Sequence, residues 1–129
     1  MNDAQGGNSP AKRHGHLSVA EQYNLRLACQ ALWAAFGINT YQVGSSLTRA
    51  DYRDVDLRCI LDDAEFDAFI GKRFTPKHHL LNVAISEWLA ARSGLPIDFQ
   101  FQRRTEANLE ETSGNRNCVT IPYRHGEQE

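Results

Sequence analysis

The amino-acid sequence predicts an α/β (α+β) chain: a small mixed sheet with helices on one face. Three observations carry that expectation. Val55 to Leu61 and Ile97 to Gln102 alternate apolar and polar side chains, the period-two signature of strands with one buried face. Two longer segments open on capping residues and end on Gly37 and Gly94, the punctuation of helices. At 129 residues with 41% hydrophobic residues, the chain suits one domain with a real but modest core.

Taken in order, residues Met1 to His16 are polar, unpatterned and rich in Asn, Gly and Ser, which predicts a flexible lead. Ser18 followed by Glu21 fits a capping box. The helix it opens is expected to run to about Phe36, with apolar positions at Val19, Ala20, Tyr23, Leu27, Ala31, Trp33 and Ala35 and with Gly37 at its left-handed end. A strand follows at about Ile38 to Val43, with Tyr41 and Val43 sharing a face. In the next strand Val55, Leu57, Cys59 and Leu61 face a core while Asp56, Arg58 and Ile60 face away. Asp62 or Asp63 can cap a short helix through about Ile70, which Gly71 ends. Thr75 and Pro76 open a stronger helix whose expected buried stripe is Leu81, Ala84, Ile85, Trp88 and Leu89. The third strand, Ile97 to Gln102, sends Asp98, Gln100 and Gln102 to one side. Beyond Arg103 the chain is weakly patterned, and Val119, Ile121 and Tyr123 suggest a short edge strand near Pro122. The expected organisation is a lead over 1–16, a folded core over 17–102 and a polar C-terminal segment over 103–129.

A formal net charge of −2 exerts no global pull on nucleic acid or anionic membrane, so any nucleic-acid contact must come from a local patch. No apolar run reaches membrane-spanning length and the start is not signal-like, which makes a cytoplasmic protein the expectation. Cys29, Cys59 and Cys118 are too few and too irregular for a disulfide framework, and buried free thiols are expected.

The chemistry concentrates in three places. Gly44-Ser45 closes one predicted strand, Asp54-Val55-Asp56-Leu57 opens the next, and Asp98 lies between Ile97 and Phe99 in the third. Asp54 and Asp56 are one residue apart, so a strand projects both to one side. Crowded carboxylates repel unless a cation lies between them, and hard oxygen donors suit Mg²⁺ or Mn²⁺. A Gly-Ser turn offers backbone N–H groups that phosphate oxygens approach closely. Singly, each element is ordinary: a solvated strand start, a turn, a solvent-facing aspartate. Their joint order points to a site for a metal–triphosphate complex.

These residues resemble the nucleotidyltransferase superfamily, the group of DNA polymerase beta and the small minimal nucleotidyltransferases, over about Ser18 to Gln102. The gap of eight residues between Ser45 and Asp54 is at the short end of the family pattern. The resemblance implies a nucleotidyltransferase-like fold and Mg²⁺-dependent (or Mn²⁺-dependent) transfer of a nucleoside monophosphate from an NTP to an acceptor hydroxyl, with release of pyrophosphate. It implies metal ligation by Asp54, Asp56 and Asp98, and phosphate contacts by Gly44 and Ser45. The acceptor is left open between a small molecule, a protein side chain and an RNA end, and its site is expected from a second copy (a homodimer) or a partner protein. A non-catalytic nucleotide- or protein-binding module, or a two-metal phosphohydrolase, remains the alternative.

Arg49, Arg53 and Arg58 are candidates to hold phosphate bidentately, weighed evenly against a solvated basic loop. Arg103, Arg104 and Asn108 follow the third strand closely enough to approach the site. His78 and His79 have no partner at ligand spacing and are expected at the surface, whereas Trp33 and Trp88 are expected in the core.

Overall fold

In the computed structural model, residues 17–47, 51–110 and 116–120 are described. The elements are α1 (Val19–Phe36), β1 (Thr40–Val43), a single 3-10 turn (Ser45–Leu47), β2 (Val55–Leu61), α2 (Asp63–Phe69), α3 (Pro76–Ser93), β3 (Ile97–Arg103), α4 (Arg104–Glu110) and β4 (Asn117–Cys118). The four strands form one sheet in the order β3-β2-β1-β4. β2 runs antiparallel to β1 and parallel to β3, and β4 pairs antiparallel with β1. The protein is therefore a small mixed α+β fold with helices on one face of a four-stranded sheet.

Local chemistry sets the helix ends. The Ser18 side chain accepts from the Glu21 N–H while Glu21 reaches back to the Ser18 N–H, at 3.1 and 2.8 Å. That reciprocal pair satisfies two donors that the first turn would otherwise leave bare, an arrangement worth about 1 kcal/mol. Thr75 caps α3 through the His78 N–H, with Pro76 at its first position. α2 differs from expectation. Asp62 occupies the cap position without a side-chain cap bond, because its carboxylate accepts from Arg104 Nε at 2.9 Å instead.

The core lies between the sheet and the helices. Val55, Leu57, Cys59, Leu61, Phe99 and Phe101 point into it, against Leu25, Ala28, Cys29 and Leu32 of α1, Phe66 of α2 and Leu89 of α3. Phe99 and Phe101 meet edge to face at 5.0 Å between centroids, a favourable ring geometry. Truncating either to alanine is expected to cost about 3–5 kcal/mol.

The buried face of α1 is not the one its most apolar residues suggest. Gln22, Leu25, Ala28, Cys29 and Leu32 are inside, whereas Val19, Tyr23 and Leu27 are 56–70% exposed. Hydrophobicity alone misplaces the stripe because α1 spreads apolar side chains around most of its circumference. In α3 likewise, Leu89 is buried and Leu81 and Ile85 are partly so. Ala84 faces outward, and Trp88 lies exposed beneath the Arg92 guanidinium.

α3 also closes an edge of the sheet. Asn82 Oδ1 accepts from the Phe101 N–H at 2.9 Å, Ser86 Oγ from the Phe99 N–H at 2.8 Å, and His78 Nε2 meets the Phe101 carbonyl at 2.8 Å. Residues four apart on one helix face thus occupy backbone groups that an edge strand leaves open. His78 Nδ1 accepts from the Phe74 N–H, so Nε2 carries the proton and donates it. His78 is thus a buried pin, correcting its expected surface position. Among the described residues, no helix is long and apolar enough to cross a membrane.

Candidate functional site

The face of the sheet turned away from the core carries the candidate residues. Strand alternation puts Tyr41 and Val43 of β1, Asp56, Arg58 and Ile60 of β2, and Asp98, Gln100 and Gln102 of β3 on this side. Asp56 is the register partner of Asp98 on β3 and of Val43 on β1. The Asp56 and Asp98 carboxyls come within hydrogen-bonding reach of each other. Burial raises the Asp56 pKa first. The Arg58 guanidinium opposes that rise, and the negative charges of Asp98 and Asp54 add to it. Arg58 is fixed in place by its Nη1, which donates to the carbonyls of Leu57 and Asp98 at 2.8 and 3.0 Å.

Gly44 belongs to the same site by contact. Its φ of +76° favours glycine, and a Cβ there would collide with the Asp56 carboxylate. The residue that turns the chain and the carboxylate on the next strand share one space. Gln42 secures this turn from the core side: its Nε2 donates to Ser46 Oγ at 2.8 Å, with both residues fully buried.

A cleft of about 230 Å³ opens on this face, lined by Val43, Gly44, Asp56, Arg58, Gln102, Ala107 and Arg116. Arg116 enters through the return of the chain to pair β4 with β1. Its Nη2 donates to the Ala107 carbonyl at 3.1 Å and to Asn108 Oδ1 at 2.9 Å.

The expected residues thus separate into groups. Asp56, Asp98, Gly44 and Arg58 come together, with Asp54, exposed at the start of β2, near enough to act on Asp56. Arg53 is exposed in the segment before β2. Arg49, Thr48 and the Ser45 side chain fall outside the described residues, as do the lead over 1–16 and Ile121 and Tyr123. Arg103 and Arg104 do not approach the cleft as free cations. Arg103 is held by Asp67 at 2.9 Å and by Asp63 and Glu106 at 3.4 Å, and Arg104 by Asp62. They brace α2 against the end of β3 and α4. Among the described residues no group of three or more His, Cys, Asp or Glu side chains is gathered to hold a metal ion.

Gln42, Gln102 and Arg116 were not expected at the site. Arg116 sits in a segment without periodicity, ahead of the edge strand expected from Val119, Ile121 and Tyr123, and the observed β4 (Asn117–Cys118) begins earlier. Gln42 lies opposite the face shared by Tyr41 and Val43, and its pairing with Leu57 turns it inward.

Comparison with protein-family models, with curated proteins and with solved structures finds no match to this chain.

Proposed function

We propose that the chain has a nucleotidyltransferase fold and transfers a nucleoside monophosphate from an NTP to an acceptor hydroxyl. The observation that carries this reading is the register pairing of Asp56 with Asp98 on parallel strands, with Gly44 packed against the Asp56 carboxylate. Two half-buried carboxylates within reach of each other are mutually repelling, and among the described residues Arg58 is the cation that offsets the charge at Asp56. Such an arrangement is costly without a cation and favourable with one.

The donor set fits Mg²⁺ or Mn²⁺. These ions commonly take one or two carboxylates and complete their shell with water and phosphate oxygens, so a closed cage of three protein ligands is not required. Asp56 and Asp98, joined by Asp54, are the residues that would hold them. Bound metal would supply Lewis-acid stabilisation of the charge on the attacking and leaving oxygens.

In this reading the backbone N–H groups of the Gly44-Ser45 turn bind the β- and γ-phosphates, with Arg53 and Arg49 as further phosphate contacts. Arg58 and Arg116 place positive charge along the cleft. The acceptor oxygen bonds to the α-phosphorus as the bond to pyrophosphate breaks, and the Asp98 carboxylate takes the hydroxyl proton. At about 230 Å³ the cleft is smaller than the roughly 300 Å³ at which enclosed ligand pockets begin. It suits the triphosphate end of a nucleotide and leaves the rest on open surface.

A second reading, a binding module that keeps the fold without catalysis, draws on the absence of a gathered three-ligand group among the described residues. Each α-labelled NTP, incubated with the protein, Mg²⁺ and a cell lysate, separates the two. Label moving into an acceptor with pyrophosphate release supports transfer. Metal-dependent NTP binding with no label transferred supports a nucleotide-binding module, and no metal-dependent binding removes transfer and leaves a module that binds protein.

A further inference from the structure

We propose that the acceptor is the end of a single-stranded nucleic acid, docked in a hollow at the start of α3 beside the carboxylates. This rests on the nucleotidyltransferase reading for the word acceptor, but the binding it asserts is independent of that reading. The hollow measures about 550 Å³, larger than the cleft over Asp56, and its lining includes Phe74, Pro76, His79 and Gln100. A smaller hollow, lined by Phe74, Gln100 and Gln102 among others, adjoins it, and Gln102 in turn borders the Asp56 cleft. Gln100 and Gln102, both on the outer face of β3, thus link the two hollows to the Asp56 cleft. Gln100 lies two residues beyond Asp98 on that face, about 6–7 Å along the strand. A group held at Gln100 is therefore within one nucleotide's reach of the reacting centre.

Three features of the hollow select nucleic acid. Phe74 is 78% exposed, with the Arg73 guanidinium 4.7 Å from its ring centre. An accessible aromatic ring beside an arginine is a stacking platform for a base. The charge is one-sided: from Ala68 to Ser86 the chain carries Lys72, Arg73 and Lys77 and no acidic residue, although the whole protein has a net charge of −2. Lys72 and Lys77 are both exposed and flank Phe74 in the chain, as a phosphate backbone requires. The nearest acid in the adjoining hollow, Glu106, is engaged by Arg103. Finally, the side chains of Gln100 and His79 make no hydrogen bond to another described residue. They remain available to base edges, whereas His78 and Asn82 are committed to β3.

The test is fluorescence anisotropy of the full chain with a labelled single-stranded ten-nucleotide RNA and the matching DNA, without NTP or metal. Binding is expected with Kd rising steeply with salt. Phe74→Asn, which tolerates the positive φ of 63° at this position, should weaken binding by roughly tenfold with Tm unchanged. The double change Lys72→Ala with Lys77→Ala should flatten the salt dependence by about 0.7 per lysine in the log–log slope. Preference for RNA over DNA would assign recognition of the 2′-hydroxyl, and equal binding would assign base and phosphate alone. No binding to either strand, or binding that neither variant alters, overturns the inference. Oligonucleotide binding without any nucleotidyl transfer would keep it and reject the proposed function. Transfer to a protein or small molecule with no oligonucleotide binding would do the reverse.

Discussion

Two groups of carboxylates lie on this small protein and are held in opposite electrostatic states. Around α2 and α4, Asp62, Asp63, Asp67 and Glu106 all face donors: Arg103, Arg104 and Thr105. Asp63 accepts from both the Thr105 hydroxyl, at 2.5 Å, and the Thr105 N–H. Those hydrogen bonds, with Arg103 and Arg104 nearby, lower its pKa. On the outer face of the sheet, Asp56 has its pKa raised by burial and by its carboxylate neighbours. One group is a finished structural brace. The other is left crowded by the fold itself, which is the feature on which the proposed cation-dependent site rests.

The largest expected effect breaks the comparison by treating the two groups alike. Asp98→Asn should leave Mg²⁺–NTP affinity within about threefold, under about 1 kcal/mol, and slow transfer by at least about two orders of magnitude. Asp67→Asn, made in the brace, should leave transfer per folded molecule unchanged. Equal loss in both variants would mean that the outer carboxylates act only through stability. Equal loss of NTP binding and turnover in Asp98→Asn would place Asp98 with the triphosphate instead of with the acceptor.

Gly44→Ala is expected next in size. A left-handed alanine costs about 1–2 kcal/mol, and its Cβ must also displace the Asp56 carboxylate. Both stability and NTP binding should fall. Because the glycine makes room for Asp56 as well as for phosphate, Gly44→Ala combined with Asp56→Asn separates the two roles. If the double variant regains stability but still binds Mg²⁺–NTP as poorly as Gly44→Ala, the turn itself contacts the nucleotide.

The same contrast explains how far the sequence could be read. The strands, both long helices and their caps follow from alternation, Ser18, Thr75 and two glycines, all local signals. The face of a helix or strand that turns inward depends on its partners. Val19, Tyr23 and Leu27 are apolar yet outside, because α1 meets the core through Leu25, Ala28 and Leu32. Thr40 and Gln42 are polar yet inside, because their register partners are Cys59 and Leu57. Asp56 and Asp98 were legible because each interrupts a run whose alternate positions are strongly apolar. Arg103 and Arg104 stood equally close to the site along the chain. Only the folded arrangement reveals that α2 carboxylates already occupy them.

A smaller effect tests the brace. Arg103→Met keeps the aliphatic stem and removes every ion pair to Asp63, Asp67 and Glu106. Tm should fall modestly, and less at high salt, since exposed pairs are screened. Transfer by the folded protein should persist. A variant with normal Tm and lost activity would instead assign Arg103 to the substrate.

The smallest effect is a difference of sign. Unfolded, the Asp56 carboxyl titrates near 3.8, and in the metal-free fold it titrates higher. Below the lower value both states hold the proton, so this group contributes nothing to the pH dependence. As pH rises from there through the folded pKa, the unfolded chain loses the proton first, and stability contributed by Asp56 falls before levelling off. Asp63 behaves in the opposite way. Its folded pKa is lowered from 3.8, so its contribution is present above that value and disappears as pH falls through the folded one. Asp56→Asn should therefore match or exceed the wild-type Tm at neutral pH in chelator, with the advantage vanishing near pH 3. Asp63→Asn should lower Tm at neutral pH and converge on wild type in acid. Both shifts are small because each side chain remains partly open to water, which screens its charge. If the proposed cation binds here, adding Mg²⁺ should erode the Asp56→Asn advantage, since it would find one carboxylate fewer in the variant. An Asp56→Asn protein less stable than wild type at neutral pH in chelator would mean that the fold already satisfies this carboxylate, and the proposed tension at the site would not exist.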